Sequence, residues 1–254
     1  MSMDQASSRS PSPASVSSGS EVDESYFIPL QEIKTIAQFY ETAVLKPAAP
    51  GKVRFQPNYE FLDRVSLFQG DITKLDIDSI VNAANRSLLG GGGVDGAIHA
   101  AAGPKLLDEC RGLNGCLTGQ SKITRGYRLP ARHIIHTVGP IYSSKEKGEK
   151  AEQLESSYRT SLELAVENAL RHVAFPSIST GIYSYPIVDA TRIALNTARI
   201  FLESEAGNKL ERVIFVVWSN KDKEVYESLI PEYFPPADKP QEPEPHLDTV
   251  EPSS

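Results

Sequence analysis

The sequence predicts an α/β fold of three layers, in which helices cover both faces of a mixed, mostly parallel sheet. Strand-like and helix-like segments alternate along residues 63–234, as they do in α/β folds. Several of the strand-like segments are apolar at every position, and such strands are usually buried on both faces by helices. Together, the alternation and the continuous apolar runs indicate an α/β/α sandwich.

Five short apolar segments are the predicted strands. They are RVSLFQ (64–69), DSIVNAA (78–84), HIIHTVG (133–139), HVAFPSI (172–178) and RVIFVVW (212–218). Apolar residues at helical spacing predict the helices. These cover 94–110 (one or two helices), 150–170, 187–203 and 221–230.

The segments outside this core differ in composition. Residues 29–44 have helical spacing before a Pro/Gly stretch at 46–52, so 25–62 is predicted to be a helical N-terminal extension. Residues 1–24 and 235–254 are rich in Ser, Pro and acids. Segments of this kind bury too little apolar surface to offset the entropy of ordering, so we expect both tails to be disordered.

Charge and cysteine content narrow the function class. The net charge of -7 argues against a nucleic-acid binder, although a nucleotide- or RNA-binding scaffold remains a weaker alternative. Two cysteines, Cys110 and Cys116, do not suggest a disulfide scaffold. No apolar run reaches transmembrane length, and acids near the N-terminus argue against a transit peptide. We therefore expect a soluble protein of the cytosol, the nucleus or both, with no membrane association.

A glycine-rich segment, NRSLLGGGGVDG, follows the second predicted strand at 85–96. Ligands of open α/β sheets bind beyond the carboxyl ends of the strands. Free amides at a helix N-terminus bind phosphate, and glycines let a diphosphate reach the backbone. A flexible surface turn is the competing interpretation. The pattern G-x-G-x-x-G is also present, but the long loop before it makes a dinucleotide fingerprint a weak match.

A second loop of small residues, SISTGIYSYP (177–186), follows the fourth predicted strand. If both loops meet at one sheet edge, they can hold a diphosphate from two sides without a lysine. Such a site suits an acidic protein that binds a phosphorylated small molecule.

Two polar residues flank the glycines. Asp95 either caps the following helix, which contributes about 0.3–1 kcal/mol, or orients or deprotonates a water. Asn85 either binds sugar hydroxyls or closes a turn on its own backbone.

Two histidines and the two cysteines are further candidates for catalytic or metal-binding roles, and each also has a structural interpretation. His99 lies four residues after Asp95 and could relay a proton, but a structural histidine is the preferred interpretation. His136 is interpreted as a core or strand-end residue. With Cys110 and Cys116 these histidines match no standard zinc spacing, so no metal site is predicted.

Three long motifs resemble those of macro domains, and in particular of the MacroD-type branch. They are GDITKLDIDSIVNAANRSLLGGGGVDGAIHAAAGP (70–104), TGQSKITRGYRLPARHIIHTVGP (118–140) and FPSISTGIYSYP (175–186). The resemblance implies the three-layer macro fold and binding of ADP-ribose. It also implies hydrolysis of mono-ADP-ribose from acidic side chains of proteins and of O-acetyl-ADP-ribose, without metal or cofactor.

The resemblance also implies roles for residues at matching positions. Asn85 and Asp95 match the catalytic positions, and with Asn82 they flank the distal ribose. The residues at the adenine end are Asp71, Ile72 and Trp218. The first diphosphate loop comprises Gly90, Gly91, Gly92, Gly93 and Val94, and the second comprises Ser179, Thr180, Gly181, Ile182 and Tyr183. Ser184 stands where this branch often has Gly.

Two functions of different classes follow from these motifs. The first is a hydrolase that binds ADP-ribose and cleaves its esters with protein carboxylates. The second is a non-catalytic reader module that binds ADP-ribosylated proteins and releases nothing. For both functions, the expected partners of the protein are ADP-ribose and mono-ADP-ribosylated proteins. We expect the protein to be a monomer.

Overall fold

The computed structural model describes residues 26–239. The tail predicted to be disordered at 1–24 lies outside the described residues, as does the second tail from residue 240 onward. Residues 235–239 form irregular chain, and Ala237 packs against the core. None of the helices in the described part is both long and apolar enough to cross a membrane.

Residues 26–239 contain eight strands, and six of them form the central sheet. The strands are β1 (Ile28–Pro29), β2 (Val65–Gln69), β3 (Leu75–Asp76), β4 (Ser79–Ala83), β5 (Ser121–Arg125), β6 (His133–Thr137), β7 (His172–Pro176) and β8 (Arg212–Val217). The sheet order is β2-β8-β7-β4-β6-β5, and β1 pairs with β3 separately. Only the β5–β6 pairing within the sheet is antiparallel. The predicted mixed, mostly parallel sheet is therefore confirmed.

Seven α-helices accompany the strands in the described part of the chain. They are α1 (Ile36–Glu41), α2 (Tyr59–Arg64), α3 (Gly93–Ala102), α4 (Pro104–Gly112), α5 (Lys147–Glu167), α6 (Ile187–Glu203) and α7 (Asn220–Tyr233). The predicted helical segment at 94–110 is two helices. They are separated at Gly103, whose φ of 82° is readily adopted only by glycine.

The sheet has an apolar core on each face. Ile80 and Ile214 pack with α3 and α4, whereas the next residues in their strands, Val81 and Phe215, pack with α5, α6 and α7. Successive side chains of a strand point to opposite faces. The continuous apolar runs of the sequence are thus explained, because every position of these strands faces one of two helical layers.

Strand β5 and the first helix of the extension differ most from the sequence-based expectation, and the two-residue strands β1 and β3 were not predicted either. Strand β5 was not predicted, because its residues SKITR are mostly polar and it lies at the edge of the sheet, where burial is partial. The helix predicted over 29–44 is a 3₁₀ turn at Leu30–Glu32 followed by the six-residue α1. Thr35 begins α1 through a capping box with Gln38, so the helix cannot extend back through it.

The N-terminal extension packs on the sheet domain through buried polar contacts. Arg199 of α6 is almost fully buried, and its guanidinium donates to the carbonyl oxygens of Gln56 (2.8 Å) and Tyr233 (3.0 Å). The same guanidinium lies over the rings of Phe55 and Phe61, at 5.0 and 4.5 Å from their centroids. Arg199 therefore connects the extension to α6 and to the end of α7.

Replacement of Arg199 by Met should lower the free energy of unfolding by about 3 kcal/mol. The change leaves two buried carbonyl groups without a donor and removes the contacts with the aromatic rings. Urea unfolding followed by circular dichroism measures the loss. Arg159→Met is the matched control, since Arg159 makes an exposed ion pair with Glu163 and such pairs contribute about 0–1 kcal/mol. Similar losses in both variants would contradict the assigned role of Arg199.

Candidate active site

A cleft of about 680 Å³ opens at the carboxyl ends of β2, β4, β7 and β8. This volume is typical of a small-molecule site. The two loops expected to meet there, which follow β4 and β7, both contribute to the wall, as do residues 70–72 after β2 and Trp218 after β8. The wall includes every predicted ligand-binding residue except Asn82 and Gly90. Among the described residues that line the cleft there is no Lys or Arg.

The first loop is braced by Asn85. Its Nδ2 donates to the carbonyl oxygen of Gly90 (2.8 Å), and its Oδ1 accepts from the amide of Ser87 (2.9 Å). These are the bonds of a turn residue, yet the side chain also forms part of the cleft wall. Gly90 and Gly93 adopt φ angles of 86° and 63°, which side-chain-bearing residues rarely adopt. Asn85 thus holds the shape of a loop whose glycines permit it.

Gly91 lies where the loop passes over the first turn of α3. A Cβ at this position would lie 3.1 Å from both Asn85 Nδ2 and Asp95 Oδ2. A Cβ on Gly96 would lie 2.6 Å from the carbonyl oxygen of Gly91. The absence of both side chains therefore lets bare backbone lie against the N-terminal turn of α3, with Asp95 directly beneath it.

The second loop faces the first across the cleft. A Cβ at Gly92 would lie 3.3 Å from Ile182 Cδ1, so the two loops approach each other over the site. Ser179 has a φ of 65°, and its buried Oγ has no hydrogen-bond partner within residues 26–239. Ser184 has a φ of 53°, which explains physically why glycine suits this position. The expected two-sided clamp is present in the geometry.

The far end of the cleft contains the residues predicted near adenine. Asp71 Oδ1 accepts from the amide (2.9 Å) and the hydroxyl (2.7 Å) of Thr73, so this carboxylate caps the turn after β2. Ile72 is buried beside it. Trp218 directly follows β8, is 77% exposed and lines the cleft.

Asp95 is the most constrained polar residue of the site. It is only 3% exposed. Its Oδ1 accepts from Asn82 Nδ2 at 2.7 Å and lies 3.5 Å from His99 Nε2. Its Oδ2 is buried and has no hydrogen-bond partner within the described chain. Burial raises the pKa of the carboxyl group, against the opposing effects of the Asn82 hydrogen bond and of His99.

Asn82 occupies a place that the sequence did not indicate. It is fully buried behind Asp95 and does not form part of the cleft wall, so the structure does not bring it to the predicted ribose position. Its Nδ2 contacts both Asp95 Oδ1 and His136 Nδ1 (3.1 Å). The amide of Asn82 is therefore a support for the carboxylate.

The sequence favoured structural roles for two histidines that lie close to these side chains. His99 is beside Asp95, and His136 is beside Asn82. The i, i+4 spacing of Asp95 and His99 was the available signal for His99. His136 is paired with Asn82 across β4 and β6, a signal that only strand register supplies. The sequence also did not select Gly70, Ser177 and Asp222, which line the cleft at strand ends and in the first turn of α7.

One cluster could be read as a metal site. Donor atoms of His99, Cys110 and His136 lie within 4.8 Å of one another. A ligating His136 would need a free lone pair on Nε2. If Asn82 donates to Nδ1, as its bond to Asp95 requires, the proton of the neutral imidazole is on Nε2. Burial also raises the pKa of the Cys110 thiol to about 11. Both donor atoms are thus protonated in the metal-free protein, and the expectation of no metal stays a prediction.

The fold and cleft define a three-layer α/β/α domain with a glycine-lined ligand site of the macro type, whose described residues include no Lys or Arg. The profile described as Macro domain matches residues 81–194. The chain is 49% identical over 209 residues to the ADP-ribose glycohydrolase MACROD1 of Rattus norvegicus, covering 81% of this chain and 80% of the rat protein. The chain belongs to the macro domain family.

Solved structures agree with this assignment. The macro domain of ganglioside induced differentiation associated protein 2 superposes with a TM-score of 0.75 at 36% identity, covering 84% of this chain and 99% of that one. A Trypanosoma brucei macrodomain solved in complex with ADP-ribose has a TM-score of 0.68 at 39% identity, with 81% and 77% covered. The predicted family and the predicted α/β/α fold are confirmed.

Replacement of Asp95 by Asn should stabilise the unliganded protein at pH 8 by about 0.5–2 kcal/mol. Because burial raises the folded-state pKa of Asp95, the wild type loses stability as the pH rises through that value, whereas Asn does not titrate. The gain should therefore shrink as the pH falls. Urea unfolding at pH 8 and at pH 5 measures it, with the exposed Asp108→Asn as control. A variant that is less stable than the wild type at pH 8 would contradict this account.

Proposed function

We propose that this chain is a hydrolase that binds ADP-ribose and removes mono-ADP-ribose from acidic side chains of proteins. The same site would hydrolyse O-acetyl-ADP-ribose, which carries a smaller ester on the same ligand. The reaction proceeds by metal-independent attack of water. Within the chain, we assign 63–234 to the macro domain and 25–62 to its N-terminal extension. A cytosolic or nuclear location and a monomeric state stay predictions from the sequence.

The glycine-lined cleft supports binding of a diphosphate ester. The two loops approach each other over the site, and α3 begins at Gly93 within the first loop. The N-terminus of a helix carries partial positive charge and free N–H groups, so it can bind phosphate without a cationic side chain. The Trypanosoma brucei macrodomain was solved in complex with ADP-ribose, a ligand that carries a diphosphate. Trp218 and Asp71 at the other end suit the adenine.

The observation that carries the proposed reaction is the state of Asp95. One of its oxygens is held by Asn82, while the other is buried beneath Gly91 without a partner in the described chain. An unpartnered buried carboxylate oxygen is costly for stability. It is suited to accept a hydrogen bond from a water molecule beside the ligand, and such general-base assistance typically contributes about 10²- to 10⁴-fold in rate.

In the proposed mechanism, the two loops bind the diphosphate and Asn85 holds the first loop beside the distal ribose. Asp95 aligns a water and receives its proton as the water oxygen attacks the ester. The bond between the distal ribose and the protein carboxylate breaks, and Asp95 passes the proton to the departing carboxylate, so that free ADP-ribose and the carboxylic acid are released. His99 Nε2 lies 3.5 Å from Asp95 Oδ1 and makes no hydrogen bond within the described chain, so its effect on the carboxylate is electrostatic. The bound diphosphate helps to align the water.

Removal of the carboxylate separates the hydrolase from the reader alternative. The variant Asp95→Ala should release ADP-ribose from a glutamate-modified protein about 10²- to 10⁴-fold more slowly than the wild type. Its ADP-ribose affinity, measured by calorimetry, should change only a few-fold. Asp108→Ala, on the exposed surface of α4, should match the wild type. Equal turnover by Asp95→Ala would refute the role of Asp95, and tight binding without release by the wild type would identify a reader.

A single methyl group tests the glycine loop. Gly91→Ala should weaken ADP-ribose binding by about tenfold, a change of about 1.4 kcal/mol, because its Cβ must displace the side chain of Asn85 or Asp95. Gly112→Ala, where a Cβ would meet nothing within 4 Å, is the matched control. Titration calorimetry with ADP-ribose compares the two. An affinity of Gly91→Ala equal to that of the control would show that the ligand does not depend on this loop.

A further inference from the structure

The orientation of the Asn82 amide follows from its neighbour. A carboxylate accepts hydrogen bonds and cannot donate them, so the atom of Asn82 that lies 2.7 Å from Asp95 Oδ1 must be the nitrogen. The second hydrogen of that nitrogen points to His136 Nδ1 at 3.1 Å. Both hydrogens of the Asn82 amide are thereby used, one toward Asp95 of α3 and one toward His136 of the neighbouring strand β6.

The proton of His136 is then also determined. Because Nδ1 accepts from Asn82, the neutral ring carries its hydrogen on Nε2, which donates to Thr124 Oγ1 at 2.8 Å. A proton on Nδ1 would oppose the Asn82 N–H group. The amide would then turn and place its oxygen against the carboxylate of Asp95. Only one protonation state of His136 therefore fits the observed bond to Asp95.

The surroundings keep His136 in that state. The ring is fully buried and is faced by His99 of α3, Cys110 of α4 and Thr124 of β5. Burial, and secondarily the charge of His99, lowers the pKa of His136 to about 3. The imidazole is thus neutral at any pH at which the protein works. It is a fixed acceptor between strands β4 and β5.

From this chain of bonds we infer that His136 is a positioning residue for the hydrolysis, which it serves by holding the Asn82 amide against Asp95. The inference rests on the proposed function. Asn82 donates a hydrogen bond to Asp95 Oδ1. Asp95 Oδ2, beneath Gly91, therefore stays available to accept a hydrogen bond from the attacking water. Without the acceptor at Nδ1, the amide can rotate, and the carboxylate loses the donor that orients it.

Asn and Leu have nearly the same shape, and this makes them a matched pair at position 136. His136→Asn can present an oxygen where Nδ1 lies, whereas His136→Leu cannot, although both leave a similar cavity. We expect His136→Leu to lower kcat by about tenfold, with the affinity for ADP-ribose changed less than about twofold. His136→Asn should recover most of the lost turnover.

A second measurement does not depend on turnover. The Asn82 hydrogen bond lowers the pKa of the Asp95 carboxyl group, so its loss should raise that pKa. Carbon-detected NMR titration of Asp95 should therefore show a higher pKa in His136→Leu than in the wild type or His136→Asn. The acidic limb of the kcat profile should move to higher pH in the same variant.

Controls make the outcomes decisive. Ile134→Val changes packing on the same face of β6 without touching the hydrogen bonds, and it should leave the Asp95 pKa unchanged. Thr124→Val, a milder change, should raise the pKa of Asp95 as His136→Leu does, but by less. This variant replaces His136→Leu in the test if the leucine variant fails to fold. Equal Asp95 pKa values in the Asn and Leu variants would overturn the inference. Absence of ester release by the wild type would instead refute the proposed function.

Discussion

The hydrogen bond from Asn82 to Asp95 joins the central strand β4 to the first turn of α3, and the site depends on it. It holds a nearly buried carboxylate where backbone of the glycine loop passes overhead. A Cβ at Gly96 would clash with the carbonyl oxygen of Gly91, and one at Gly91 would crowd the side chains of Asn85 and Asp95. The glycines are therefore needed for close packing as much as for ligand contact, and the two requirements coincide at one short segment.

The site contains several polar atoms and backbone angles that are unfavourable for stability, and the surrounding fold holds them in place. A carboxylate oxygen and the hydroxyl of Ser179 are buried without partners in the described chain, and Ser179 and Ser184 adopt left-handed backbone angles. Such features cost about 1–3 kcal/mol each and persist only where surrounding structure enforces them. The two apolar cores and the Arg199 contacts supply that enforcement from outside the cleft. The strain is concentrated where a ligand can relieve it.

The sequence predicted well those elements whose apolar residues recur at regular spacing over neighbouring positions. Helix α6 was expected at 187–203 and is observed there, because its apolar residues recur at helical spacing over its whole length. Strand β5 was missed, since an edge strand with partial burial carries no apolar run. The helix expected at 29–44 was too long, because apolar spacing does not report that Thr35 and Gln38 form a capping box. Asn85 was correctly placed on the cleft, but its turn-forming bonds needed coordinates.

By itself, the sequence determined the sandwich architecture, the two loops at strand ends and the presence of Asp95 among glycines. Periodicity, glycine placement and motif spacing are properties of neighbouring residues, so they can be read along the chain. Tertiary structure alone decided which polar atoms meet. Asn82 and His136 are 54 positions apart and become partners only through the register of β4 and β6. Burial between those strands then sets the protonation of His136 and the orientation of the Asn82 amide that holds Asp95.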